Sequence, residues 1–193
     1  MEKNCGQEAS SRAVAAVVED AAPNAARAIV RLEGTRIGDF EVPEDMVIEF
    51  PEGILGFPDS KRFVIVPHPS GGPFQWLQSV DEPELAFVAA DPTEFFDNYQ
   101  ISLSPEQLRS VKATSMEEII AIVFLVVPLD PKMITANLQG PVLINPNERL
   151  GQQFVLSSQG YSTRQPVFPG KTSESPSGQE VELVGPAPRS GRQ

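Results

Sequence analysis

The sequence predicts a mostly all-β fold, an antiparallel β-barrel-like domain with one or two short helices and flexible tails. Three observations predict it. The apolar runs are short and rich in β-branched and aromatic residues, and Gly, Pro, Asn and Asp punctuate them closely, as in a chain of strands joined by turns. The gaps between most runs are shorter than the dozen or so residues that a parallel crossover needs, so neighbouring strands pair antiparallel. Little helix is available to cover sheet edges, and closure removes them.

Candidate strands lie at 28–32, 39–42, 46–50, 63–66, 74–78, 85–90, 119–127, 133–137, 141–145 and 153–156. The run 119–127 contains no polar residue and has the length of a strand, so it is expected at the centre of the core, buried on both faces or spanning a barrel interior. One helix has full start signals. Ser104 is a good N-cap, Pro105 suits the first helical position, Gln107 completes a capping box, and Leu103 with Leu108 can staple the entry. Leu108 and Val111 then face the sheet. Asp91-Pro92 predicts a second, shorter turn of helix over 93–96, capped by Asp91. Residues 1–27, rich in Ala, Ser and charge and broken by Pro23, are expected to form a flexible extension. Residues 169–193 have the Ser/Gly/Pro-rich composition of a disordered tail, with Val181, Leu183 and Val184 as the exceptions from Lys171 onward. The folded unit is therefore predicted to span 28–168.

Charge narrows the function. The net charge is -11, and between Pro43 and Phe168 sixteen acids stand against seven bases, so the body itself is negative. A direct nucleic-acid ligand is disfavoured, because phosphate binding is driven by Lys and Arg. An RNA-binding barrel would need a basic face with exposed aromatics. Solubility alone accounts for such a surplus, and attraction to a basic protein partner is its functional counterpart. No run approaches the roughly 18 apolar residues of a membrane span, and neither a secretory leader nor an internal disulfide is suggested, with Cys5 the single cysteine. A cytoplasmic location is expected.

Catalytic groups are scarce. His68, the only histidine, lies in a Pro/Gly-rich loop, and a Cys-His pair would have to recruit Cys5 from the extension. Metal sites built on His and Cys need several ligands, so neither a metal nor a cofactor is expected. Gly53-Ile54-Leu55-Gly56 is no phosphate cradle, and its glycines suit a turn with positive φ. The alternative that survives is a small-molecule-binding or hydrolytic β-barrel using Asp81, Glu82 or Asp91 as acid and base.

Several segments taken together resemble the FliW family of flagellar assembly factors over about 28–168. They are Phe50-Pro51-Glu52-Gly53-Ile54-Leu55-Gly56-Phe57, Phe63-Val64-Ile65, Phe74-Gln75-Trp76-Leu77-Gln78-Ser79 leading into Asp81-Glu82-Pro83-Glu84-Leu85-Ala86-Phe87, then Asp91-Pro92 and Tyr99. Farther on come Ile134-Thr135-Ala136-Asn137-Leu138, Pro141-Val142-Leu143-Ile144-Asn145 and Gly151-Gln152-Gln153. Order and spacing carry the match. Gln139-Gly140 stands where a bulkier pair is expected, and its glycine is expected to loosen one strand edge.

The resemblance implies a monomeric, non-enzymatic protein that binds flagellin and, alternatively, the translational regulator CsrA. It would relieve CsrA repression of flagellin mRNA by an allosteric switch of partners, without touching the RNA. Expected partner-binding residues are Phe57, Gln78, Asp81, Asp91, Phe96, Tyr99, Asn137 and Asn145, which sit in the matching segments at predicted turns or strand ends. Each also has a purely structural use: core aromatics for Phe57 and Phe96, a helix cap for Asp91, turn-forming for Asn137 and Asn145. Gln78 and Asp81 are the least explained by structure alone.

Overall fold

The computed structural model describes residues 28–69 and 71–168; the predicted extension 1–27 and tail 169–193 lie outside the described residues. Eleven strands are described: β1 (Ile29–Leu32), β2 (Phe40–Pro43), β3 (Ile48–Glu49), β4 (Arg62–Pro67), β5 (Phe74–Ser79), β6 (Ala86–Ala90), β7 (Ile120–Val126), β8 (Thr135–Ala136), β9 (Val142–Asn145), β10 (Leu150–Gln153) and β11 (Gln165–Pro166). One α-helix, α1 (Pro105–Ser110), and four short 3-10 turns complete the set.

Seven strands close on themselves in the order β7-β6-β5-β4-β3-β10-β9, with β9 pairing back onto the first half of β7. The predicted barrel is present. Its ladders are antiparallel except at one seam, where β10 meets β3 in parallel at Leu150↔Glu49. The seam departs from the all-antiparallel expectation because these strands are joined by a hundred residues of chain, so the short-connection rule does not govern them.

Alternation sorts the side chains. Phe63 and Ile65 of β4, Leu77 of β5, Ile120 and Ile122 of β7, and Val142 and Ile144 of β9 fill the interior together with Phe50 and Ile54. The outward residues are covered in three places. The β1–β2 hairpin packs Leu32 and Val42 over Val64 and Val66 of β4. The α1 segment lays Leu103, Leu108 and Val111 over Leu143, as its apolar spacing predicts. The segment 95–99, with Tyr161 and Val167, covers Val123 and Leu125.

The capping box of α1 forms as expected: Ser104 Oγ accepts from the Gln107 amide, and Gln107 Oε1 accepts from the Ser104 amide at 2.8 Å. Asp91 caps the 3-10 turn Pro92–Glu94 by accepting from the Thr93 amide, although this turn is shorter than the helix expected over 93–96. The strand expected at 153–156 lies instead at Leu150–Gln153, since Gly-Gln-Gln carries no apolar alternation by which to be recognised. The strands expected at 46–50 and 133–137 shrink to two residues each, because 3-10 turns occupy Glu44–Met46 and Pro131–Met133. At the end of the central run, Val126 and Val127 are 61% and 51% exposed, so burial on both faces holds only for its first part. The two-residue β11, pairing only with β8, was not legible in the sequence.

Candidate partner-binding surfaces

The Gly53–Phe57 motif makes a tight loop. Ile54 and Phe57 bond to each other across it, the Phe57 amide donating to the Ile54 carbonyl at 2.7 Å. Gly53 has φ 69, and a Cβ there would stand 2.5 Å from the Phe57 carbonyl oxygen, so both backbone conformation and space demand glycine. The loop presents Leu55, 60% exposed, and Phe57, whose ring meets that of Phe87 edge-on at 5.3 Å.

Asp81 and Gln78 anchor the β5–β6 connection. Asp81 accepts from the amides of Lys61 and Arg62 and from Arg62 Nε, at 2.8, 2.9 and 2.8 Å. Burial pushes its carboxyl up, but these hydrogen bonds and the guanidinium charge together outweigh that and hold it below the usual carboxylate range. Glu82 accepts from Ser60 Oγ, and Ser79 Oγ accepts from the amides of Asp81 and Glu82. Gln78 is wholly buried, and its Nε2 donates toward the carbonyls of Ser79, Pro83 and Leu85. Its Oε1 finds no partner among the described residues.

The other expected residues are occupied in similar ways. Asp91 is buried at its cap. Asn145 is buried, with Nδ2 donating to the carbonyls of Val111 and Lys112 and Oδ1 accepting from the amides of Asn147 and Glu148. Asn137 Oδ1 accepts from the Gly140 amide, while the Gly140 carbonyl accepts from Gln153 Nε2. Gly140 is therefore pinned at both backbone groups, contrary to the expectation that it loosens an edge. Phe96 and Tyr99 come together beside a shallow hollow of about 300 Å³. Tyr99 is packed on Tyr161 and donates to the Leu138 carbonyl at 2.8 Å. Burial, then the neighbouring Tyr161, pushes its phenol well above the ordinary tyrosine value. Of the eight residues, Phe57 offers the most open apolar surface, and Gln78, Asp91 and Asn145 are buried in this structure.

Two larger hollows use other residues. One of about 500 Å³ is charged, with Glu44, Asp45, Glu49 and Glu148 beside Arg62 and Arg149. The second, about 540 Å³, is an apolar groove along Phe74, Trp76, Phe87, Phe124, Leu125 and Val127. Neither is lined by Asp81, Glu82 or Asp91. Sequence reasoning passed over this groove, and its available signal was the apolar run continuing past the end of β7. Among the described residues no group of His, Cys, Asp and Glu is arranged to hold a metal ion, and no helix is long and apolar enough to cross a membrane.

The chain is of the closed, seven-stranded barrel class, with Gln78, Asp81, Asp91 and Asn145 bonded within the fold and apolar surface left open at Leu55, Phe57, Val126 and Val127. The FliW protein family model matches residues 31–167. A flagellar assembly factor FliW of Natranaerobius thermophilus is 41% identical over 140 residues, covering 72% of this chain and 93% of the relative. One from Geotalea uraniireducens is 38% identical over 145 residues, covering 75% and 87%. A crystal structure of the flagellar assembly factor FliW superposes with a TM-score of 0.69 at 35% identity, covering 74% of this chain and 99% of the other. The chain belongs to the FliW family of flagellar assembly factors.

Proposed function

We propose that this protein is a non-enzymatic, cytoplasmic regulator that binds flagellin and, alternatively, CsrA, and that CsrA bound to it releases flagellin mRNA through an allosteric change of partners. The observation that carries this reading is the family match across the whole barrel, residues 31–167. The chemistry of the surface supports it. A net charge of -11 suits a basic protein partner and repels RNA, and exposed Leu55, Phe57, Val126 and Val127 supply apolar contact. The hydrolytic alternative loses its groups: Asp81 and Glu82 accept from the 60–62 segment, and Asp91 is a buried cap. The test is a pull-down of purified flagellin and of purified CsrA. Retention of both, each displacing the other, supports the reading; retention of neither defeats it.

A further inference from the structure

The ladder between β6 and β7 covers only part of β6. Only Ala89↔Phe124 and Ala90↔Val123 pair, whereas β6 pairs with β5 along all five of its residues. Beyond Phe124 the end of β7 pairs with β8 instead, at Leu125↔Ala136 and Val126↔Thr135. The two strands fork there. The start of β6 is thus left, on the side away from β5, as a sheet edge with no ladder partner among the described residues, and the apolar groove occupies the fork. The Ser79 amide donates to the Leu85 carbonyl. By the alternation of an antiparallel ladder, Phe87 then turns its backbone toward β5, and Ala86 and Val88 turn theirs toward the groove. Edges of this kind accept an extended segment as an added strand.

The chain itself carries a segment of the right pattern. Residues 180–184 read Glu-Val-Glu-Leu-Val, an apolar alternation set within Ser, Gly and Pro. The described chain ends beside the groove: the Phe168 ring lies 6.1 Å from that of Phe95, which stacks at 5.8 Å on Phe74, and Phe74 lines the groove. The residues between Phe168 and Val181 reach on the order of 40 Å when extended, far more than this offset. Charge agrees as well, since Arg36 stands at the groove and the segment carries Glu180 and Glu182. We propose that residues 181–184 of this chain dock on the open edge of β6, with Val181 and Leu183 against the apolar floor at Trp76 and Val88. Tethering would present this segment to the edge at an effective concentration of about millimolar.

Trp76 is the only tryptophan and reports on its own site. Acrylamide quenching of the full chain is compared with that of V181D/L183D/V184D, which leaves the barrel untouched, and with V181I/L183I/V184I as the conservative control. The acidic variant is expected to raise the quenching constant about twofold and to speed hydrogen exchange at the Ala86 and Val88 amides on the order of tenfold, with unchanged far-ultraviolet dichroism. The conservative variant is expected to match the parent. Equal quenching and exchange in parent and acidic variant overturn the proposal. So does protection of Trp76 that varies with protein concentration, which assigns the groove to a second copy, or protection lost on V14D/V17D/V18D but not on the tail variant, which assigns it to the N-terminal segment. None of these readings depends on flagellin or CsrA.

Discussion

The ring of Phe50 lies directly against the backbone of Gly151: a Cβ at residue 151 would stand 2.4 Å from Phe50 Cζ and 2.6 Å from Cε1. Phe50 is fully buried, with its ring edge-on to Phe63 at 5.1 Å, so it has no room to withdraw. The glycine of one strand thus makes room for one of the two largest fully buried side chains at the seam where β10 meets β3. Gly151→Ala is expected to destabilise the protein by about 1–3 kcal/mol, the usual range for overpacking, as read by urea unfolding. Phe50→Leu in the same chain is expected to recover part of that loss, a non-additivity that independent sites would not give.

Asp81 makes stability depend on acid. Its carboxyl is held below its ordinary value in the fold, so the stabilising contribution is present above the unfolded-state value of about 3.9 and is lost as pH falls through the lower folded value. Asp81→Asn is expected to lower stability at neutral pH and to flatten the acid limb of the stability profile. An acid limb identical to that of the parent would contradict the assignment.

Tyr99 acts at the other end of the scale. Its phenol is raised in the fold, so its contribution is complete below the ordinary tyrosine value of about 10 and is lost as pH climbs toward the raised one. Tyr99→Phe is expected to reduce the alkaline decline in stability, measured by unfolding across that range. It is also expected to cost about 0.5–1.5 kcal/mol at neutral pH from the lost bond to Leu138.

Asn145 ties the end of α1 to the β9–β10 turn. Its amide donates to the Lys112 carbonyl while Lys112 holds φ 53, a left-handed conformation that non-glycine residues adopt at some expense. Asn145→Asp puts a carboxylate oxygen against the carbonyls of Val111 and Lys112, where no donor remains. The expected cost is about 1–3 kcal/mol at neutral pH, with partial recovery in acid as the carboxyl protonates and donates again. Thermal unfolding at the two pH values checks it.

Under the proposed function, the acidic body predicts a kinetic signature with CsrA. Raising ionic strength from low to physiological is expected to slow association while changing dissociation less. An association rate indifferent to salt would remove steering from the proposal.

The sequence by itself determined the barrel class, through the lengths of its apolar runs and of the gaps between them, and the capping box at Ser104 and the cap at Asp91, which depend on residues within a few positions of one another, where spacing and propensity act directly. It also determined the family through the order of its segments. The turn-forming use of Asn145 was legible and is seen at Asn147 and Glu148, but tertiary structure alone decided the distant partners of Asp81 at 61–62 and of the Asn145 amide at 111–112, which only the folded sheet brings into reach. It likewise decided that β10 begins at Leu150: Gly151 looks like a turn residue in one dimension, and only the ring of Phe50 pressed against it makes glycine the residue that a strand requires there. The open edge of β6 is of the same kind, because whether a strand lacks a neighbour is a property of the sheet and not of the strand.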